Sequence, residues 1–144
     1  MENQHERILV IDDDPNGARL LCTLLSMEGF QTFEPEDWND PLGDVEKIRP
    51  ETIVVDVRLR NRSGFDLLSQ IRAHPDPCVA NTRVIMMSAE DYRNQSKQAG
   101  ADGFVDKPFD VPAMLTIIRN RSAEKEGASA NFRIGPSPLK EDNL

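Results

Sequence analysis

Four apolar stretches of the chain each lead into a residue whose side chain can do chemistry. Runs of this kind are typical of buried parallel strands. Parallel strands end at one edge of their sheet, and in open α/β folds that edge is where functional sites form. We therefore expect the polar residues at these strand ends to lie close together. They are Asp12 and Asp13 after the first stretch, Asp56 at the end of the second, Ser88 at the end of the third, and Lys107 after the fourth.

The chemistry that these residue types favour is phosphoryl transfer. Clustered carboxylates of Asp12, Asp13 and Asp56 would repel one another by roughly 3 kcal/mol per pair, taking about 5 Å and an effective dielectric of about 20. A divalent cation removes that repulsion, and oxygen ligands with room for water and phosphate suit Mg²⁺. Lys107 adds a positive charge for a phosphoryl group, and Ser88 adds a hydroxyl donor. An aspartate in this setting is equipped to form an aspartyl phosphate.

The elements that must position these residues alternate regularly along the chain. Strict alternation of five strands and five helices predicts an α/β fold, with a doubly wound parallel sheet, helices on both faces and right-handed crossovers. The predicted strands cover residues 8–11, 30–33, 52–56, 83–88 and 103–105, and the predicted helices cover 15–29, 41–48, 65–74, 92–99 and 110–121.

Apolar spacing also predicts which side of each helix faces the core. In the first helix, Leu21 and Leu25 share one face, and Leu20, Leu24 and Met27 widen the apolar stripe. The third helix is expected to turn Phe65, Leu68 and Ile71 inward, and the last helix Val111, Leu115 and Ile118. The fourth helix has little apolar content, so we expect it to be marginally stable.

Composition excludes several classes of function. The chain has 144 residues, with 17 basic and 25 acidic side chains and a formal net charge of −8, which argues against a nucleic-acid interface or docking on an anionic membrane. The only cysteines, Cys22 and Cys78, form neither a disulfide framework nor a zinc pattern. The first apolar run is too short for a signal peptide or a spanning helix, so a cytoplasmic location is expected.

Domain organisation is predicted from where this pattern starts and stops. Residues 1–6 are interpreted as an N-terminal extension and residues 7–121 as one domain. Residues 122–144 have only scattered apolar residues together with Gly, Pro and Ser, so they are interpreted as a disordered tail or a linker to a longer protein.

Four segments together resemble the response regulator receiver domain of two-component signalling: ILVIDDDP, IVVDVRLRNRSGFDLL, VIMMSAED and GADGFVDKPF. They occur in the family's order and spacing over about residues 7–121. The resemblance implies a flavodoxin-like (βα)5 sheet with strand order 2-1-3-4-5. It also implies a signalling switch rather than an enzyme, one that takes a phosphoryl group from a histidine kinase or a histidine phosphotransfer protein.

The resemblance assigns a role to each site residue. Asp56 becomes the phosphoacceptor, and Mg²⁺ is bound directly by Asp13 and Asp56, through water by Asp12, and by the Arg58 backbone carbonyl. Phosphorylation then changes the face built from the fourth predicted helix, the fifth strand and the fifth predicted helix, through which a target or a second copy would bind. The remaining roles are a switch hydroxyl for Ser88, a phosphoryl-binding lysine for Lys107, and an aromatic switch residue for Phe104.

The chain departs from the family pattern near the acceptor. Arg60 stands where the family usually has proline, so the loop is expected to be less stiff. Phe104 lacks the hydroxyl of the more common tyrosine. Arg58 and Glu90 lie two residues beyond Asp56 and Ser88, at positions that flank the water route to the phosphoryl group in this family. We hypothesise that they pair across the mouth of the site and slow hydrolysis.

Other interpretations remain open from sequence alone. A haloacid-dehalogenase-type hydrolase would carry a second aspartate two residues after its nucleophile, where this chain has Arg58. A flavin carrier would need a Ser-, Thr- and Gly-rich loop in place of Asp12 to Asp14. A degenerate receiver would act by protein contact alone. Asp14 is expected only to cap the helix that follows it, and Phe104 by itself is typical of a core residue.

Overall fold

Five parallel strands form one sheet in the order β2-β1-β3-β4-β5, which confirms the predicted fold class and strand order. The structure is a computed structural model that describes residues 5–108 and 110–120. The predicted tail at 122–144 lies outside the described residues. The strands are β1 (Arg7–Ile11), β2 (Gln31–Phe33), β3 (Thr52–Asp56), β4 (Arg83–Ser88) and β5 (Gly103–Asp106). The helices are α1 (Pro15–Met27), α2 (Pro41–Ile48), α3 (Gly64–Arg72), α4 (Pro77–Ala80), α5 (Arg93–Ala99) and α6 (Val111–Arg119).

Strand register brings the chemical residues to one edge of the sheet. β1 pairs with β3 so that Ile11 lies opposite Val55, one residue before Asp12 and Asp56 respectively. β4 and β5 pair so that Ser88 lies opposite Asp106. The side chains at these strand ends are therefore neighbours in space although they are far apart along the chain.

Two apolar layers hold the helices against the sheet, because alternate side chains of each strand point to opposite faces. One layer joins the strands to α1 and α6, and the other joins them to α2, α3 and α4. β3 shows this alternation, since Ile53 and Val55 belong to the second layer and Val54 belongs to the first. Across the described residues, none of the helices combines the length and apolar character needed to cross a membrane.

One helix was missing from the sequence prediction. Residues 75–82 were interpreted as a loop because of Pro75 and Pro77, but Pro77–Ala80 forms the short helix α4. Asp76 caps it by accepting a hydrogen bond from the Cys78 amide, and proline is well tolerated in the first helical turn because its missing N–H has no helical partner there. Proline therefore begins this helix, and the predicted fourth and fifth helices are α5 and α6.

Three helix faces also differ from prediction. Leu20 and Met27 were expected to widen the apolar stripe of α1, but they are 60% and 75% exposed. The buried face of α3 carries Leu67 where Phe65 was expected, with Phe65 only half-buried. In α6 the buried side chains are Met114, Ile117 and Ile118, with Val111 and Leu115 half-buried. The apolar spacing alone did not identify these faces, because apolar residues also occupy the adjoining positions.

Candidate functional site

A lysine bridges two buried aspartates at the carboxyl edge of the sheet. Asp12 follows β1 and Asp56 ends β3, and they are 6% and 7% exposed. The Lys107 ammonium donates to Asp12 Oδ2 at 3.0 Å and also to Asp56 Oδ2. Three of the residues singled out in the sequence therefore meet at one point.

The Lys107 ammonium is held in its charged form by these contacts. Burial lowers the pKa of Lys107, but the hydrogen bonds to Asp56 and Asp12 outweigh that effect and leave the pKa above its usual value. The backbone of Lys107 is fixed as well, since its N–H donates to the Ser88 carbonyl at 2.8 Å. One compact positive charge is thus positioned between two carboxylates.

Asp13 is turned toward a different cation. Its Oδ2 lies 3.9 Å from Arg60 Nε, and Arg60 Nη2 lies 3.5 Å from the Asp13 carbonyl oxygen. Both residues line a cavity of about 270 Å³ together with Trp38 and Arg62. The site therefore places Asp12 and Asp56 around Lys107, and Asp13 beside Arg60.

This division of the acids bears on metal binding. Within residues 5–108 and 110–120, no three Asp, Glu, His or Cys side chains are grouped so as to hold a metal ion. Lys107 contacts Asp12 and Asp56, and Arg60 contacts Asp13. The donors nevertheless suit Mg²⁺ chemically. Carboxylate oxygens of Asp12, Asp13 and Asp56 surround the strand ends, and hard cations prefer oxygen ligands.

Three of the candidate site side chains each accept a hydrogen bond from the backbone amide two residues later. Asp12 Oδ1 accepts from the Asp14 amide at 3.0 Å, and Asp56 Oδ1 accepts from the Arg58 amide at 3.0 Å. Ser88 Oγ accepts from the Glu90 amide at 3.1 Å. Such local side-chain-to-backbone bonds are typical of turns. They leave the other carboxylate oxygen of each aspartate facing Lys107.

Asp14 differs from its two neighbours in the acidic run. Its side chain accepts from the Asn16 amide at 3.3 Å and caps α1. This confirms the structural role expected for it from the sequence.

An ion pair lies across the mouth of the site. Arg58 Nη2 donates to Glu90 Oε1 at 2.8 Å, and the Tyr92 hydroxyl donates to the same oxygen at 2.9 Å. The hydrogen bonds from Arg58 and Tyr92 lower the pKa of Glu90. The Tyr92 ring packs edge-on against Phe65, with ring centroids 5.7 Å apart. The pair proposed from sequence is therefore present, and it links the loops after β3 and β4.

The two residues with predicted switch roles are both buried. Ser88 is 3% exposed, and Phe104 is fully buried in the apolar layer on the α3 side of the sheet. The guanidinium carbon of Arg93 lies 5.4 Å from the centre of the Phe104 ring. Their switch roles stay predictions.

Sequence reasoning missed two residues that shape the site. Gly64 begins α3, and a Cβ there would lie 2.2 Å from the Asp56 carbonyl oxygen. The signal in the sequence was a glycine directly after the capping residue Ser63. Arg93 contacts Phe104 and Asp106, and no local pattern marked it, because its partners come from another part of the chain.

Comparison with known proteins identifies the family. The family model described as "Response regulator receiver domain" matches residues 8–119. The DNA-binding response regulator MtrA of Mycolicibacterium smegmatis is 30% identical over 135 residues, which cover 92% of this chain and 57% of that protein. Sporulation initiation phosphotransferase F of Bacillus subtilis is 32% identical over 118 residues, covering 80% of this chain and 92% of that protein.

The fold is also shared with solved structures. A response regulator receiver domain protein from Methanospirillum hungatei JF-1 superposes with a TM-score of 0.73 at 24% identity, covering 85% of this chain and 98% of that one. At this level of identity the likeness establishes the fold. The chain spans less than two thirds of the length of the first of its curated relatives.

Proposed function

The chain belongs to the response regulator receiver domain family, and from that premise we propose that Asp56 is its phosphoacceptor. The observation that carries the proposal is the contact of the Lys107 ammonium with both Asp12 and Asp56. A buried strand-end aspartate, a neighbouring acid and a shared lysine are the parts that phosphoryl transfer to a carboxylate requires.

Phosphotransfer begins with attack by a carboxylate oxygen of Asp56 on the phosphorus of a phosphohistidine. A phosphorus–oxygen bond forms, the phosphorus–nitrogen bond breaks, and the imidazole nitrogen keeps the electron pair. The product is an acyl phosphate on Asp56. Lys107 then neutralises the phosphoryl oxygens in place of the free carboxylate, and Ser88 is the hydroxyl donor on the adjacent strand end.

Mg²⁺ is the cofactor that the oxygen donors suit. Asp13, Asp56 and the Arg58 carbonyl would hold it directly, and Asp12 would hold it through water. When bound, it neutralises negative charge on the carboxylates and on the phosphoryl group. Mg²⁺ would compete with Arg60 for Asp13, whose Oδ2 lies 3.9 Å from Arg60 Nε.

The elements around Ser88 and Phe104 would carry the effect of phosphorylation to a binding partner. Movement of Ser88 toward the phosphoryl group and of Phe104 into the space beside it would change the face formed by α5, β5 and α6. The weak apolar contribution of α5, whose only fully buried side chain is Ser96, suits a moving element. A downstream protein or a second copy of this chain would bind there.

An apolar groove beside Lys107 is the proposed docking site of the phosphohistidine protein. Leu20, Leu24, Pro108 and Val111 line it, with a volume of about 410 Å³. Leu20 is 60% exposed and lines this groove together with the other apolar side chains, and an exposed apolar patch is typical of a protein interaction site. A protein seated on this groove would present its histidine to Asp56 from the side of Lys107.

The test is phosphorylation followed by intact mass measurement. We expect incubation with Mg²⁺ and a small acyl phosphate to add one phosphoryl group, and we expect Asp56→Ala or chelation to abolish the addition. Asp14→Asn is the matched control, since Asp14 belongs to the same acidic run but caps a helix. Undiminished phosphorylation of Asp56→Ala would refute the assignment.

The intact mass measurement also tests the remaining alternative, a degenerate receiver that is not phosphorylated. Family membership rules out the hydrolase and the flavin carrier. A degenerate receiver would gain no phosphoryl group under any of these conditions. The cytoplasmic location and the histidine kinase partner stay predictions for this chain.

A further inference from the structure

Helix α5 buries little of its surface. Its only buried side chain is Ser96, and among the described residues nothing hydrogen-bonds to the Ser96 hydroxyl. Its N-cap residue, Tyr92, provides no side-chain cap. At the N-terminal end of the helix, the Tyr92 ring packs on Phe65 and Asp91 Oδ1 accepts from the Arg93 amide at 3.1 Å.

Arg93 attaches this end of the helix to β5. Its guanidinium forms an ion pair with the Asp106 carboxylate on β5 and lies 5.4 Å from the centre of the Phe104 ring. A further bond reaches Asp91 Oδ1 at 3.1 Å. With its side chain only 21% exposed, Arg93 combines a shielded ion pair with a cation–π contact.

The partners of Arg93 connect it to the acidic site. Asp106 directly precedes Lys107, and it lies opposite Ser88 in the strand register. Asp106 turns toward α5, whereas Lys107 turns toward Asp12 and Asp56. Only one peptide unit separates Lys107 from the residue that Arg93 contacts.

We propose that Arg93 is a positioning residue that couples the acidic site to α5 by holding Asp106 and Phe104 in their unphosphorylated arrangement. The proposal rests on the function proposed above and extends it to a residue outside the site. A contact made in only one of two conformations biases the equilibrium toward that conformation. Removing the contact must favour the other conformation, and by linkage must also favour phosphorylation.

The first measurement is hydrogen exchange of the unphosphorylated protein, which does not depend on the phosphoacceptor. We expect Arg93→Ala to speed exchange several-fold in α5 and β5 while leaving α1 and α3 unchanged. Arg93→Lys keeps the charge near Asp106 but loses the planar stacking on Phe104, so it should show an intermediate increase. Lys97→Ala, which removes the other cation of α5, is the matched control.

The second measurement is the phosphorylation rate with a small acyl phosphate and Mg²⁺. The proposal requires Arg93→Ala to react several-fold faster than the wild type, an effect that a merely structural role would not produce. If hydrogen exchange in α5 and β5 of Arg93→Ala were no faster than in Lys97→Ala, the proposal would be overturned. Faster exchange with an unchanged or slower reaction would overturn the coupling. Phosphorylation of Asp56→Ala would count against the proposed acceptor, but it would not alter the exchange result.

Discussion

Arg58 and Glu90 form an ion pair between the loop that follows β3 and the loop that follows β4, with Nη2 and Oε1 2.8 Å apart. Both side chains are more than half exposed, so the pair adds little to stability. Its location matters more, because each residue follows a proposed site residue, Asp56 or Ser88, by two positions. We expect the pair to lie on the route by which water would approach a phosphoryl group on Asp56.

We therefore predict that Arg58→Ala and Glu90→Ala each shorten the lifetime of the phosphorylated protein several-fold. The measurement is loss of labelled phosphate after the donor is removed. Lys47→Ala is the matched control, since Lys47 forms a similarly exposed pair with Glu36 at 3.2 Å on another part of the surface. Lifetimes that match the wild type in both variants would eliminate this role.

Replacing Lys107 should affect both folding and chemistry. Lys107→Ala leaves the buried carboxylates of Asp12 and Asp56 without their shared cation, and we expect a loss of about 1–3 kcal/mol in the free energy of unfolding. Urea denaturation gives that value. Mg²⁺ should restore part of the stability, because a cation again neutralises the aspartates. Phosphorylation should still be slow at saturating Mg²⁺, and a variant as fast as the wild type would show that Lys107 has no part in transfer.

Arg60 is predicted to weaken Mg²⁺ binding. Its contact with Asp13 must be given up when Asp13 binds a cation, so Arg60→Ala should bind Mg²⁺ several-fold more tightly. Trp38 lines the same cavity, and its fluorescence offers a direct titration. Arg62→Ala is the control, because Arg62 lines that cavity but donates to the Asn39 carbonyl. Equal gains in both variants would point to general charge rather than to the Arg60 contact.

Gly64→Ala should disturb the acceptor without changing any functional group. The added Cβ would lie 2.2 Å from the Asp56 carbonyl oxygen and 3.2 Å from Met86 Cε, so α3 must move away from β3. We expect a loss of about 1–3 kcal/mol in stability together with slower phosphorylation. Ser69→Ala, at an exposed position of the same helix, should change neither quantity. Normal stability of Gly64→Ala would mean that the start of α3 relaxes freely.

The strand framework was predictable because each buried strand is an apolar run with a distinct polar end. The bounds of α2 were also predicted correctly as Pro41–Ile48, because proline is well placed in the first turn of a helix. The face of α6 was predicted correctly only at Ile118, because apolar residues occupy neighbouring positions and packing in the core buries Met114 and Ile117 instead of Val111 and Leu115. The meeting of Asp12, Asp56 and Lys107 was also predictable, because all three are charged residues at the carboxyl ends of parallel strands.

Details that depend on distant parts of the chain could not be predicted from sequence. The division of the acids, with Asp13 beside Arg60 and the other two around Lys107, depends on loop geometry. Arg93 lies 13 positions before its partner Asp106, and no periodic signal joins them. Their contact exists because β5 pairs with β4 and brings Asp106 next to Ser88.

The opposite orientation of Asp106 and Lys107 makes the spacing at the end of β5 critical. Inserting one residue between Val105 and Asp106 would reverse these two orientations, because successive side chains of an extended segment alternate. Asp106 would then turn toward Asp12 and Asp56, and Arg93 would lose its anion. Such a one-residue shift would disable the proposed phosphoacceptor site, although every functional side chain would still be present in the sequence.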